Sequence, residues 1–153
     1  MAQYEKSKSA TPDDGIDSTL TFRLVRAANL MAQPFSKAHG ERLGVTLPEW
    51  RCLMALAVME GTSGEDIARF MGMEKMTVSR ALRQLERNGH VTYRLDPTNK
   101  KRKIWAMTPS GTAIYNEILP DALARDKQAF ASISDEQRKA VMQALDRFIA
   151  ALE

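Results

Sequence analysis

Between Gly61 and Thr108 the chain changes its periodicity, and that change limits the fold more than any other feature. Thr62 to Met71 reads as a short helix, with Glu65 and Asp66 in its first turn, Ile67, Phe70 and Met71 as its inner face and Gly72 as its stop. From Glu74 or Lys75 to Asn88 a longer helix follows, with Val78, Ala81, Leu82 and Leu85 on one side. Asn88-Gly89 supplies a left-handed stop. The period then drops to that of strands. Val91 to Leu95 and Ile104 to Thr108 form two arms around Asp96-Pro97-Thr98-Asn99-Lys100-Lys101-Arg102-Lys103, a turn signal dense in positive charge.

The net charge of +3 conceals where the charge lies. From Arg69 to Lys103 ten basic residues face three acids, a local excess of +7, so the rest of the chain carries −4. The excess falls on the hairpin and on the face of the longer helix opposite its apolar side, where Met76, Arg80, Arg83 and Arg87 lie flanked by Thr77 and Gln84. A helix pair followed by a basic hairpin is the pattern of a winged helix-turn-helix, which can read duplex DNA. Positive groups neutralise phosphates, and side chains that reach base edges choose the sequence. Arg80 and Arg83 are long enough to grip guanine bidentately, Gln84 can read adenine, and Lys75, Met76, Thr77 and Ser79 occupy the helix start that normally enters the groove. Lys100, Lys101, Arg102 and Lys103 at the hairpin tip suit a flanking minor groove or its phosphates. Asp96 is expected to pair with Arg102 or Arg94 and shape the loop.

The flanking segments predict helices. Residues 1–15 are polar, without the apolar segment of a secretory signal, and are expected to be a flexible tail. One domain is expected over 16–153, with the DNA-binding unit at 46–108 between dimerisation helices at 17–38 and 109–152. The first helix starts at Asp17 or Ser18 and carries Leu20, Leu24, Ala27, Met31 and Phe35 on one stripe, with Phe22, Val25 and Leu30 off it. Pro34 should kink it or begin a new turn. An apolar helix with two greasy sides in a short chain calls for a second subunit. Thr46 and Glu49 form a capping box for a second, nearly all-apolar helix, with Pro48 in its first turn, which ends near Gly61. Thr108-Pro109 opens a fifth helix lined by Ile114, Ile118 and Leu119, kinked at Pro120 and reaching about Ala131. Ser134 and Gln137 box the last helix, where Val141, Leu145, Phe148 and Leu152 form a coiled-coil-like stripe. The fold class is mainly α with a small β-hairpin wing.

The helix-turn-helix from Ala68 to Gly89, the run Val91-Thr92-Tyr93-Arg94-Leu95-Asp96-Pro97 and then Thr108-Pro109-Ser110-Gly111 together resemble the MarR family of bacterial regulators, from about Leu20 to the end. The resemblance implies a homodimer that binds a palindromic operator, most members being repressors released by small phenolic or carboxylate ligands or by oxidation. The family wing reads Asp-Pro-x-Asp-Arg-Arg, whereas Asn99, Lys100 and Lys101 stand here, with Arg102 one place later. Lysine does not reproduce the planar fork of arginine.

The same resemblance places an effector cleft between the first, second and fifth helices. Arg26, Asn29, His39, Trp50 and Arg51, with Phe35 and Met54, are the candidates to line it, and an aromatic wall with an arginine suits a hydrophobic anion. Leu24 to Leu30 with Pro48-Glu49-Trp50-Arg51 is similar to members that control aromatic-acid breakdown, so the expected effector is an aromatic carboxylate or its thioester. Trp50 is also a natural core residue and His39 a natural surface residue at a helix end. Cys52, the only cysteine, precludes an internal disulfide and suits a reducing cytoplasm. A redox-sensing role for Cys52 is the alternative to an inert core thiol, as is a winged-helix protein-interaction module that binds DNA non-specifically. No cofactor and no enzymatic activity are expected, because His39 and His90 lack metal-ligand spacing and no Gly-rich phosphate loop or nucleophile triad is present.

Overall fold

In a computed structural model the chain is described over residues 15–35 and 39–153. Most of the expected tail, and the last three positions of the expected first helix, lie outside the described residues. A single turn at Ile16–Ser18 precedes α1 (Leu20–Phe35), so its cap is Thr19, one to two residues later than the Asp17 or Ser18 expected as cap. It runs through position 34 to Phe35. There follow α2 (Glu41–Leu43), α3 (Leu47–Val58), β1 (Thr62–Ser63), α4 (Gly64–Met71), α5 (Lys75–Arg87), β2 (Val91–Leu95), β3 (Lys103–Met107), α6 (Pro109–Ala129) and α7 (Asp135–Leu152).

Local chemistry sets most of these boundaries. The Glu49 amide donates to Thr46 Oγ1 and the Thr46 amide to Glu49 Oε2 at 2.6 Å, which closes the capping box of α3 and holds a buried carboxylate. Ser63 caps α4 through the Asp66 amide, Thr108 caps α6 through the Gly111 amide, and Ser134 with Gln137 boxes α7. Gly72 and Gly89 end α4 and α5 at φ of +61° and +75°, a region that L side chains avoid. The helix α6 passes Pro120 without ending.

The core joins α3, α4, α5, the sheet and α6. Leu53, Ile67, Val78, Leu82, Leu85, Val91, Trp105 and Ile118 are buried in it. Each large aliphatic chain removed from water contributes about 1.5–3 kcal/mol. The central place expected for the second helix holds for Trp50, Cys52, Leu53, Ala55 and Leu56, but α3 stops at Val58, which is exposed.

Four details differ from the sequence reading. The hairpin gains a third strand: β1 pairs antiparallel with β3 (Ser63 opposite Ile104), and β3 pairs with β2 (Tyr93 opposite Trp105). Two residues are too short a run for periodicity to reveal. The second hairpin arm sits one residue earlier than Ile104 to Thr108, because Thr108 is committed to capping α6. The short α2 also went unread; it ends at Gly44, at φ +65°. Finally, Phe70 is 48% exposed rather than inward. Ile67, Ala68 and Met71 define the packed arc of α4, and at 3.6 residues per turn Phe70 points about 100° from its centre.

Candidate nucleic-acid interface

The candidate recognition surface is built on α5 because its two faces have opposite chemistry. Val78, Ala81, Leu82 and Leu85 anchor one face in the core, leaving Met76, Arg80, Arg83 and Arg87 on the outer face, all exposed. Arg80 and Arg83 have no hydrogen bond or ion pair among the described residues, so both guanidinium groups remain free. Other groups are occupied by neighbours. Lys75 Nζ lies 2.6 Å from Glu65 Oε1, and that pairing holds the Glu65 carboxyl below its ordinary range. Thr77 Oγ1 donates to Glu74 at 3.4 Å. Gln84 accepts from Arg87 and donates to Asn88 Oδ1 at 3.1 Å, so its amide must release these partners before it can read a base.

Two concavities flank α5. On the wing side Lys75, Ser79 and Arg83 share a cleft of about 350 Å³ with Lys101, Arg102 and Lys103. On the α3 side Thr77, Arg80, Gln84 and Arg87 line one of about 420 Å³ with Thr46 and Pro48. The sequence-derived set is thus split across the two sides of one helix. Met76 and Lys100 lie in neither concavity and are exposed. Lys103, the last of the basic wing residues, joins the wing-side cleft; its Nζ also sits 3.6 Å above the Tyr93 ring.

Arg102 has a different place from Lys100 and Lys101. Its Nη2 lies 2.5 Å from Asp66 Oδ2 and 3.3 Å from Ser63 Oγ. The wing is thereby tied to the N-terminus of α4. The Ser63 hydroxyl first, and Arg102 second, hold the Asp66 carboxyl below the usual carboxylate range. Asp96 does contribute to the loop, chiefly by accepting from the Thr98 hydroxyl and amide at 2.7 and 2.9 Å; Arg102 Nη1 is 4.0 Å away. The wing's exit is fixed where the Thr108 amide donates to the His90 carbonyl at 3.0 Å and Thr108 Oγ1 to the Gly89 carbonyl at 2.7 Å. A side chain at Gly111 would come within 1.9 Å of that His90 carbonyl, so glycine is required there.

A second cleft, of about 240 Å³, opens between α1, α3 and α6. His39, Trp50 and Arg51 from the predicted effector set line it, as do Phe35 and Met54. Arg26 and Asn29 do not: both lie exposed on α1 outside the cleft. The second cation comes instead from Arg125 on α6, whose Nη2 donates to the Met31 carbonyl at 2.8 Å. No sequence motif marks it; only the return of α6 beside α1 brings it in. His39, expected at the surface, is buried at 3% exposure. Phe35 and Trp50 stack in the cleft lining with ring centroids 6.1 Å apart, and Tyr115, outside the lining, stacks on Trp50 at 5.4 Å. Cys52 is fully buried, and burial, aided by the Glu49 charge, pushes its thiol up to about 12, which leaves no reactive thiolate near neutrality. Among the described residues no cluster of His, Cys, Asp and Glu could hold a metal ion, and no helix is long and apolar enough to cross a membrane.

Comparison with known proteins agrees with this geometry. A model described as the MarR family matches residues 43–102, the segment from the end of α2 to the turn between β2 and β3. The transcriptional activatory protein BadR of Rhodopseudomonas palustris is 30% identical over 122 residues, covering 70% of this chain and 69% of BadR. The homoprotocatechuate degradative operon repressor of Escherichia coli is 27% identical over 133 residues, covering 86% and 88%. A MarR family transcriptional regulator from Silicibacter pomeroyi shares the fold at a TM-score of 0.83, with 23% identity and coverage of 95% and 97%. PcaV of Streptomyces coelicolor, solved with its natural ligand, matches at 0.74, with 19% identity and coverage of 95% and 99%. The S. aureus MepR–DNA complex matches at 0.75, with 21% identity and coverage of 87% and 98%. With a free basic face on α5, a three-stranded wing and these likenesses in sequence and fold, the chain belongs to the MarR family of transcriptional regulators.

Proposed function

We propose that this regulator is a homodimeric repressor that binds a pseudo-palindromic operator and is released by an aromatic acid. The observation that carries the DNA-binding part is the pair of unpartnered guanidinium groups, Arg80 and Arg83, exposed on the helix beside a lysine-rich wing. In this reading Lys75, Met76, Thr77, Ser79, Arg80, Arg83 and Gln84 meet the major groove. Lys100 and Lys101 meet flanking phosphates, and Arg102 holds the wing at the angle that lets them do so. MarR family members are DNA-binding regulators, not enzymes.

Two further observations support the dimer and the effector. Apolar residues on α1 and α7 are left in water: Leu20, Val25 and Leu30 at one end of the chain, Val141, Phe148 and Leu152 at the other. A second copy would cover them. The cleft joins a stacked aromatic wall to Arg51 and Arg125, a pairing suited to an aromatic carboxylate. One relative represses a homoprotocatechuate operon, and PcaV was solved with its natural ligand. BadR, by contrast, is described as an activatory protein. Repression is the choice because the E. coli repressor is matched over more of both chains.

The test is a salt titration of binding to the duplex upstream of the protein's own gene and to a scrambled duplex. The reading expects a steep fall in affinity with salt and a clear preference for the former. Arg80→Ala should cost about 1–3 kcal/mol on the preferred duplex and erase the preference, whereas Lys101→Ala should weaken both duplexes alike and reduce the salt slope by about one. Equal affinity for all duplexes would instead support a protein-interaction module.

A further inference from the structure

The effector cleft contains a polar atom with nothing to bond to. His39 is 97% buried, and its Nδ1 has no hydrogen-bond partner. A buried nitrogen left unpaired is unfavourable, and such groups in native structures ask for an explanation. The other ring nitrogen, Nε2, lies 3.7 Å from Asp121 Oδ2. That carboxylate favours a proton on Nε2, which leaves the Nδ1 lone pair free in the neutral ring. The imidazole lines the cleft and sits 5.4 Å from the Phe35 ring, at the edge of the aromatic wall. Arg51, also in the lining, has no partner among the described residues.

We infer that His39 Nδ1 is the acceptor for a hydroxyl on the effector, and that the cleft is built for a hydroxylated aromatic carboxylate in its free-acid form. This deepens the aromatic-acid reading above and rests on it. The ring would lie against Phe35 and Trp50, the carboxylate would face Arg51, and a ring O–H would donate to Nδ1. The cleft, at about 240 Å³, has room for one aromatic ring with small substituents. A thioester presents a neutral carbonyl where the carboxylate would be, and it leaves Arg51 without a counter-charge. A ligand with a carboxylate but no hydroxyl leaves Nδ1 as orphaned as it is without ligand, which is how a buried polar group discriminates.

The experiment is calorimetric titration of the full chain with benzoate, the three hydroxybenzoates and a thioester of the best of them. The best hydroxybenzoate should bind roughly tenfold more tightly than benzoate, the worth of one hydrogen bond to a buried acceptor, and more tightly than its thioester. His39→Leu should reduce the hydroxybenzoate to the benzoate level while leaving benzoate unchanged. His39→Asn, which keeps an acceptor near the Nδ1 position, should recover part of the preference and guards against misfolding of the leucine variant. If benzoate and the hydroxybenzoates bind wild type equally, or the preference survives His39→Leu, the role of His39 is overturned and the aromatic-acid reading stands. If the thioester binds as well as the free acid, the free-acid form is overturned. If none of the acids binds, the aromatic-acid reading fails and this inference fails with it.

Discussion

The middle of this chain and its two ends solve the burial problem in different ways. From α3 to the start of α6, apolar side chains meet one another within one copy: Leu53, Ile67, Leu82 and Leu85 are all but inaccessible, and the helix starts at Thr46, Ser63 and Thr108 are capped by side chains. At the ends, equally apolar residues stay exposed. Leu20 is 78% and Leu152 72% accessible, and α7 buries no residue at all. The middle is a finished unit for contacting DNA, and the proposed dimer is what would finish the ends. In the proposed dimer the distance between two recognition helices would be set by α1 and α7, and an effector lodged between α1, α3 and α6 would sit where it could alter that distance.

If the division is real, damage to the ends should abolish function while sparing the middle. Val141→Glu with Phe148→Glu puts charge on the exposed stripe of α7. It should convert the protein to a monomer by sedimentation velocity and lower operator affinity by a hundredfold or more, since each half-site then binds alone. The helical signal and the melting of the central unit should change little.

The converse damage is Gly111→Ala. A methyl there collides with the His90 carbonyl where the wing returns to α6. Unfolding by urea should show a loss of about 3 kcal/mol, the size typical of a forced backbone shift, with self-association retained where the fold survives. A loss under about 0.5 kcal/mol would show that this junction gives way easily.

A smaller effect should appear where the wing is tied down. Ser63→Ala removes the α4 cap and one partner of Arg102, and should cost about 1 kcal/mol. Asp66→Asn should cost less than about 1 kcal/mol, because its pair with Arg102 is partly exposed. The Asp66 carboxyl is held below its ordinary range in the folded state, so its contribution is complete above pH ~4, where the unfolded chain is also ionised. The contribution fades as pH falls further, through the lowered folded value. Wild type and Asp66→Asn should therefore differ by a constant amount from neutrality to about pH 5 and converge below pH 4. The same stability gap at pH 3 as at pH 7 would deny Asp66 this role.

The sequence disclosed what repeats and what caps. Periodicity placed α5 and its buried Val78, Leu82 and Leu85, and cap chemistry placed the starts of α3, α6 and α7 within a residue. Features made by tertiary approach were hidden. The strand Thr62–Ser63 exists because β3 lies beside it, and Arg125 reaches the cleft between α1, α3 and α6 because α6 returns beside α1. His39 looked like a surface residue because sequence cannot show that it is buried with its ring beside Phe35. Phe70 looked inward because three-residue spacing from Ile67 is compatible with a helix face, while the packed arc turned the other way. For the proposed DNA-contacting set, the charge pattern did not show that Arg102 is held by Asp66 or that Gln84 is occupied by Arg87 and Asn88.

The most direct test of the account is selection of bound sequences from a pool of random duplexes, using the intact wild-type protein. Two copies of a finished reading unit, held in register by the chain's ends, predict an inverted repeat with half-site centres about ten base pairs apart. The Val141→Glu, Phe148→Glu variant should then recover only a single half-site or nothing. Recovery by the wild type of a lone asymmetric motif, or of no motif, would contradict it.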